Sequence, residues 1–161
     1  MTLSIFTFRI IASLIFGILI GLERQLRQRS AGLTTNSLVA VGACIFILIS
    51  EVVISKSIAS GGLVNNDNLR VLSQIVTGIG FLGAGVILRD GFTIHGLNSA
   101  ATLWCSAAVG AMCGYGLWIE ASISVAVILF INWVLKFIEH YLEKHQTDNP
   151  AADPYEKKNE R

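Results

Sequence analysis

The residues best placed to do chemistry lie in one run. Residues 71–90, VLSQIVTGIGFLGAGVILRD, carry Gly78, Gly80, Gly83 and Gly85 and hold no charge before Arg89. GIGFLG has the GxGxxG spacing of a dinucleotide-binding turn. Such a turn needs a short strand before it, an amphipathic helix after it and an acid about 20 residues on. Here both flanks are uniformly apolar and Asp90 comes too early. At the required distance the chain reads Asn98-Ser99-Ala100-Ala101. GIGFLG is not a nucleotide cradle.

The other reactive side chains form no set. Cys44, Cys105 and Cys113 all lie in apolar runs, without CxxC spacing, and are read as small packing residues. On one helix Cys105 and Cys113 would stand about 12 Å apart, too far to bridge. His95, His140 and His145 are isolated, and HExxH, GxSxG and P-loop motifs are absent from the sequence. Magnesium would ask for several oxygen ligands in an enclosed place, whereas Glu23, Glu51, Asp90 and Glu120 are scattered near span ends. No catalytic residue, cofactor or metal site is expected, and no basic stripe with interleaved aromatics points to nucleic acid.

The elements that must position these residues are membrane spans. Of 161 residues, 53% are hydrophobic and only 14% charged, and the mean hydropathy is +0.62. Soluble domains carry roughly 25% charged residues. The pattern predicts an all-α integral membrane protein with about five helices, near 3–22, 35–54, 71–88, 97–114 and 119–137. The first resembles a signal peptide, but Glu23-Arg24 follows Leu22 without a small-residue cleavage site, so it is read as retained. Arg9, about two turns into it, is expected to snorkel to the headgroups. Residues 56–70 and 89–96 read as a loop and a short turn. Tyr115 and Trp118 suit an interface between the last two spans.

Lys and Arg set the orientation. With the N-terminus outside, the cytoplasmic side holds Arg24, Arg27, Arg29, Arg89 and Lys136, and the other side only Arg9, Lys56 and Arg70. Residues 1–138 are read as the membrane domain and 139–161 as a polar, largely disordered cytoplasmic tail.

Small residues recur at helix-packing spacing. Ser13, Gly17 and Gly21 repeat at i+4, Gly110 and Gly114 form a GxxxG, and Gly78 and Gly85 lie one heptad apart. The glycines of the third span, Gly78, Gly80, Gly83 and Gly85, are expected to mark the tightest helix contact. Glu23-Arg24 and Arg89-Asp90, at the cytoplasmic ends of the first and third spans, are candidates for pairing between helices. Asn98 can cap the fourth span, with Cys105 two turns later on nearly the same face.

The runs GILIGLERQLRQRSAGL, QIVTGIGFLGAGVILRDG and HGLNSAATLWCSAAVGAMCGYG resemble, in the same order, the MgtC/SapB family of bacterial inner-membrane proteins. The resemblance covers about residues 9–116. It implies a multi-pass protein of the inner membrane, linked to growth in low magnesium and, in some pathogens, to survival in macrophages. It further implies a regulator acting on other membrane proteins, among them the F-type ATP synthase, and functional importance for Asn98 and Cys105. Thr34 stands where many members carry arginine. The short tail resembles the branch without a C-terminal soluble domain, to which the virulence role does not automatically carry over.

Two functions follow as expectations. The first is a non-enzymatic regulator binding membrane proteins, or a second copy of itself, through helix contacts in the bilayer. The alternative is a small transporter of Mg²⁺ or another solute, proton-linked or not, suggested by glycine-rich helices and charges at span ends.

Overall fold

The computed structural model describes residues 1–61 and 68–135. Within residues 1–128, a first compact unit, four helices pack together: α1 (Leu3–Leu26), α2 (Leu33–Ala59), α3 (Asn68–Val86) and α4 (Leu97–Tyr115). A hairpin of β1 (Leu88–Asp90) and β2 (Thr93–His95) joins α3 to α4, and α5 (Trp118–Phe130) follows. Of the second unit, which starts at Leu129, the described part is the end of α5 and a π-helical turn, Ile131–Leu135. The polar tail, Lys136, His140, His145 and part of the 56–70 loop lie outside the described residues.

Among the described residues three helices, α1, α2 and α3, are long and apolar enough to cross a membrane. At 1.5 Å per residue, α1 reaches about 36 Å and α2 about 40 Å, more than a bilayer core. Both outrun their expected spans. Helix α1 continues a turn beyond Leu22, so Glu23 and Arg24 lie on the helix, not after it. It stops where Gln28 turns left-handed at φ 53°. There the Arg29 amide donates to the Arg24 carbonyl and the Gln28 amide to Gln25, the Schellman pattern. Helix α4 ends in the same way at Gly116, with Leu117 donating to Met112 and Gly116 to Cys113.

Helix α2 is the common partner. It runs antiparallel to α1, since Gly17 meets Ser37 and Gly21 meets Leu33. It runs parallel to α4, since Asn36 meets Ser106 while Gly110 meets Ala40 and Gly114 meets Ile47. A Cβ at Gly17 or Gly21 would lie 2.7 Å from the Cα of Ser37 or Leu33, and one at Gly110 2.7 Å from the carbonyl carbon of Ala40. Such distances leave no room for a methyl group. These glycines let backbones approach, which helices in lipid need because no hydrophobic force drives them together.

The expectation for α3 fails within this chain. A Cβ at Gly78, Gly80 or Gly85 would meet nothing within 4 Å, and one at Gly83 only the Cβ of Ala100 at 3.5 Å, an ordinary contact. Helix α3 packs instead through Ile79 and Ile75 against Val39, Ala43 and Ala107. Gly78, Gly80 and Gly85 are exposed because the apolar branched side chains make the contact, while Gly83 is buried beside Ala100.

The expected turn at 89–96 is a β-hairpin, with Leu88 opposite His95, Arg89 opposite Ile94 and Asp90 opposite Thr93. Gly91, at φ 59°, is the first residue of its two-residue loop and the only one there with positive φ, as a type II′ turn requires.

Gly110→Ala should lower stability by about 1–3 kcal/mol through overpacking against Ala40. Gly80→Ala, with open space at its Cβ, should leave stability unchanged or raise it by up to about 1 kcal/mol through helix propensity. Unfolding in mixed micelles followed by circular dichroism reads both.

Candidate functional site

Two polar clamps close the α1–α2–α4 core. At the end where α1 stops and α4 starts, Arg24 is 2% exposed. A buried guanidinium must have its donors met. Here Nη1 donates to the Asn98 side-chain oxygen and Nη2 to the Ser99 hydroxyl at 2.6 Å. The Ser30 hydroxyl also reaches Ser99, at 2.9 Å. The planar fork of arginine thus ties the last turn of α1 to the first turn of α4. Nε of Arg24 has no hydrogen-bond partner.

Asn98 does not cap α4. The cap position is Gly96, in a left-handed conformation and without a side-chain cap. Only glycine fits there, because its φ is 89° and the Val86 carbonyl crowds the position a Cβ would take. Freed from capping, the Asn98 oxygen serves as an acceptor for Arg24.

One layer deeper, Asn36 is fully buried and satisfied. Its amide donates to the Ala31 carbonyl at 3.0 Å and the Gly32 carbonyl at 2.9 Å, and its oxygen accepts from Ser106 at 2.8 Å. One side chain therefore fixes the start of α2 and joins it to α4.

The opposite end holds the second clamp. Arg9, whose side chain is 14% exposed, forms an ion pair with Glu51 of α2 and donates to the Gly114 carbonyl of α4 at 2.7 Å. It does not snorkel. Glu51 and a carbonyl freed at the end of α4 give it partners inside the protein. Beside it Phe8 and Trp118 meet edge to face, with ring centroids 4.8 Å apart.

The structure brings together only some of the residues singled out in the sequence. Arg24 meets Asn98, but the expected pairing of Glu23-Arg24 with Arg89-Asp90 is not observed. Glu23 instead pairs along its own helix with Arg27, Nε to Oε1 at 2.8 Å. That contact is an ion pair without hydrogen-bond alignment, because neither Glu23 oxygen has a hydrogen-bond partner. Arg89 folds back on its turn, Nε to the Gly91 carbonyl at 3.0 Å, and Asp90 is exposed in β1. Cys105 is half-buried, about two turns along α4 from Asn98. Cys44 and Cys113 are buried, and all three thiols are free.

Sequence reasoning missed Asn36, Ser99, Ser106 and the Arg9–Glu51 pair. A signal for the serines was present: Ser99, Ser106 and Cys113 recur at seven-residue spacing and define the buried face of α4, one position over from Asn98 and Cys105.

Long apolar helices, glycine contacts and buried polar clamps define a helical membrane protein. The MgtC family's sequence model matches residues 10–141. The protein called MgtC in Brucella abortus is 48% identical over 140 residues, 87% of this chain and 55% of that one. The protein of that name in Salmonella typhimurium is 50% identical over 127 residues, 79% of this chain and 51% of its own. A Synechocystis protein described as uncharacterized is 47% identical over 138 residues, 82% of this chain and 54% of its own. The chain belongs to the MgtC family. It spans about half the length of the curated relatives it matches, and no solved structure matches it.

Arg24→Ala and Asn98→Ala should each destabilise the protein, with a coupling of about 0.5–3 kcal/mol in a double-mutant cycle. Arg24→Lys should recover little of the loss, since one ammonium cannot reproduce the fork. Unfolding in micelles measures all four variants.

Proposed function

We propose that this chain is a non-enzymatic, multi-pass protein of the bacterial inner membrane that regulates other membrane proteins through helix contacts during adaptation to low magnesium. The reading takes α1 to α4 and the helix from Trp118 as five spans, with the N-terminus outside, residues 1–138 as the membrane domain and 139–161 as a cytoplasmic tail. Family membership supports the magnesium setting. By resemblance, the membrane sector of the F-type ATP synthase is the first partner to test.

One observation carries the reading: the core is closed and the outer face of α2 and α3 is open. Between those helices runs an apolar groove of about 510 Å³, with Gly42, Ala43 and Gly78 between the ridges of Leu38, Phe46 and Leu82. Gln74 also lines it. Its amide is exposed and has no hydrogen-bond partner among the described residues. Lipid tails cannot bond that amide, whereas a partner helix can.

The transporter alternative draws on the buried charge of Arg24 and the part-buried Arg9–Glu51 pair. Against it stands the packing of the helices that carry them. Where Gly110 meets Ala40 and Gly17 meets Ser37 there is not room for a methyl group, and so none for an ion with its oxygen ligands.

The reading requires that a defined membrane protein co-purify stoichiometrically from native membranes in mild detergent, and that Gly78→Leu or Gln74→Leu release it without loss of folded protein. Absence of any such partner would sink it. Reconstituted protein that carries Mg²⁺ or protons faster than empty vesicles would establish the transporter instead. Asn98→Ala and Cys105→Ala should abolish the low-magnesium growth phenotype, Cys105→Ala at unchanged membrane abundance and Asn98→Ala even when expression is raised to restore the abundance that loss of its bond to Arg24 lowers. If growth simply tracks abundance, the two residues serve packing alone.

A further inference from the structure

The hairpin between α3 and α4 exposes more apolar surface than its size explains. All six strand residues are exposed. Phe92 at the turn is fully exposed, and Leu88, Ile94 and Leu97 are each more than half exposed. Two strands of three residues are marginal in water on their own, and within the described residues no helix covers either face of this pair.

Its place in the chain says what covers it. Ile87 alone separates β1 from the end of α3, a helix apolar enough to cross the bilayer. Gly96 alone separates β2 from α4. The hairpin is therefore held where a span leaves the hydrocarbon. The Arg24 bonds to Asn98 and Ser99 bring the end of α1 to the start of α4, which places Arg27 and Arg29 at the same end as Arg89. Arg89 commits only Nε to the Gly91 carbonyl. Its two terminal nitrogens are without a protein partner among the described residues.

We propose that this hairpin is a lipid-docking element. The Phe92 tip wedges among the lipid headgroups and upper acyl chains, and Arg89, with Arg27 and Arg29 at the same end of the helices, engages the phosphates of anionic lipids. Apolar tip and basic flank together match the interface of a negatively charged leaflet. A neutral polar loop of the same length would have neither. The inference rests on α3 spanning the bilayer, and its test separates the two.

The full chain, with Trp104, Trp118 and Trp133 replaced by Phe, receives one tryptophan as Phe92→Trp or, within α3 about one turn past its midpoint, as Phe81→Trp. Each is reconstituted in phosphatidylcholine vesicles with or without phosphatidylglycerol, using lipids brominated at shallow or deep acyl positions. Phe81→Trp should be quenched by deep bromines. Phe92→Trp should be quenched by shallow bromines several-fold more than by aqueous iodide, and more strongly when phosphatidylglycerol is present. Arg89→Gln should remove that dependence on anionic lipid.

If Phe81→Trp is quenched while Phe92→Trp responds only to iodide, the hairpin stands in water and the proposal fails alone. If Phe92→Trp is blue-shifted but silent to both quenchers, protein covers the tip, a second copy or a partner, and the proposal also fails. If Phe81→Trp escapes lipid quenching, the spanning reading falls with it. Should the tryptophan-free background lose its helical circular dichroism, a nitroxide on Phe92→Cys, with Cys44, Cys105 and Cys113 replaced by Ala, reports the same depth. Greater collision with oxygen than with an aqueous nickel chelate then supports the proposal, and the reverse overturns it.

Discussion

Everything in the described core depends on how closely two helices approach α2. Gly17 and Gly21 of α1 and Gly110 and Gly114 of α4 sit one turn apart in each pair and press against the backbone or the first side-chain atoms of α2. In lipid, apolar side chains gain little by leaving one apolar surrounding for another, so association draws on dispersion and buried hydrogen bonds. Dispersion falls off steeply with separation. A helix pair held off by one methyl group forfeits much of its attraction, which is why glycine, normally a poor helix former, occupies these four positions. The loss in helix propensity is met by contact.

That approach creates the setting for the polar groups. Packed so closely, α1, α2 and α4 exclude water, and any polar atom between them must find a protein partner. Arg24 finds Asn98 and Ser99, Asn36 finds Ser106 and two carbonyls, and Arg9 finds Glu51 and Gly114. Dispersion contacts can slide along a helix axis, whereas these pairs cannot. The two arginine clamps stand at opposite ends of the core and set the register between α1 and α4. Asn36, nearer the Arg24 end, does the same between α2 and α4. Close contact supplies attraction and the polar pairs supply position.

The helices were legible because hydropathy and small-residue spacing are local properties. Gly17-Gly21 and Gly110-Gly114 could be read as packing pairs for the same reason. Which glycines pack was not legible for α3, because a glycine stripe looks alike whether it faces a neighbour or open space. Only the position of Ile75 and Ile79 against α2 and α4 decides it. Arg9 and Arg24 were misjudged or half-read because their partners lie 42 and 74 residues away in sequence. Distance from a helix end favoured snorkelling for Arg9, a rule for an isolated helix that a nearby carboxylate overrides. Adjacent charges at Arg89-Asp90 suggested a pairing that does not form, because Arg24 is taken by Asn98 and Ser99, Glu23 by Arg27, and Arg89 turns back on Gly91.

The same physics divides the surface. Where α1 and α4 meet α2, every glycine is filled and Arg9, Arg24 and Asn36 all have partners, though Ser13 Oγ, Ser37 Oγ and the Nε atoms of Arg9 and Arg24 stay unpaired among the described residues. On the outer side of α2 and α3, Gly42 and Gly78 stand open in the groove and the Gln74 amide is unmet. A helix that merely faces lipid has no use for such residues: glycine costs it stability and an exposed amide costs it solvation. Both costs are recovered when another helix lies against that face, with glycines allowing approach and the amide giving direction, as in the core. The arrangement that holds α2 between α1 and α4 is thus repeated, unfilled, on the face α2 shares with α3, and that repetition is the strongest physical reason to place a partner there.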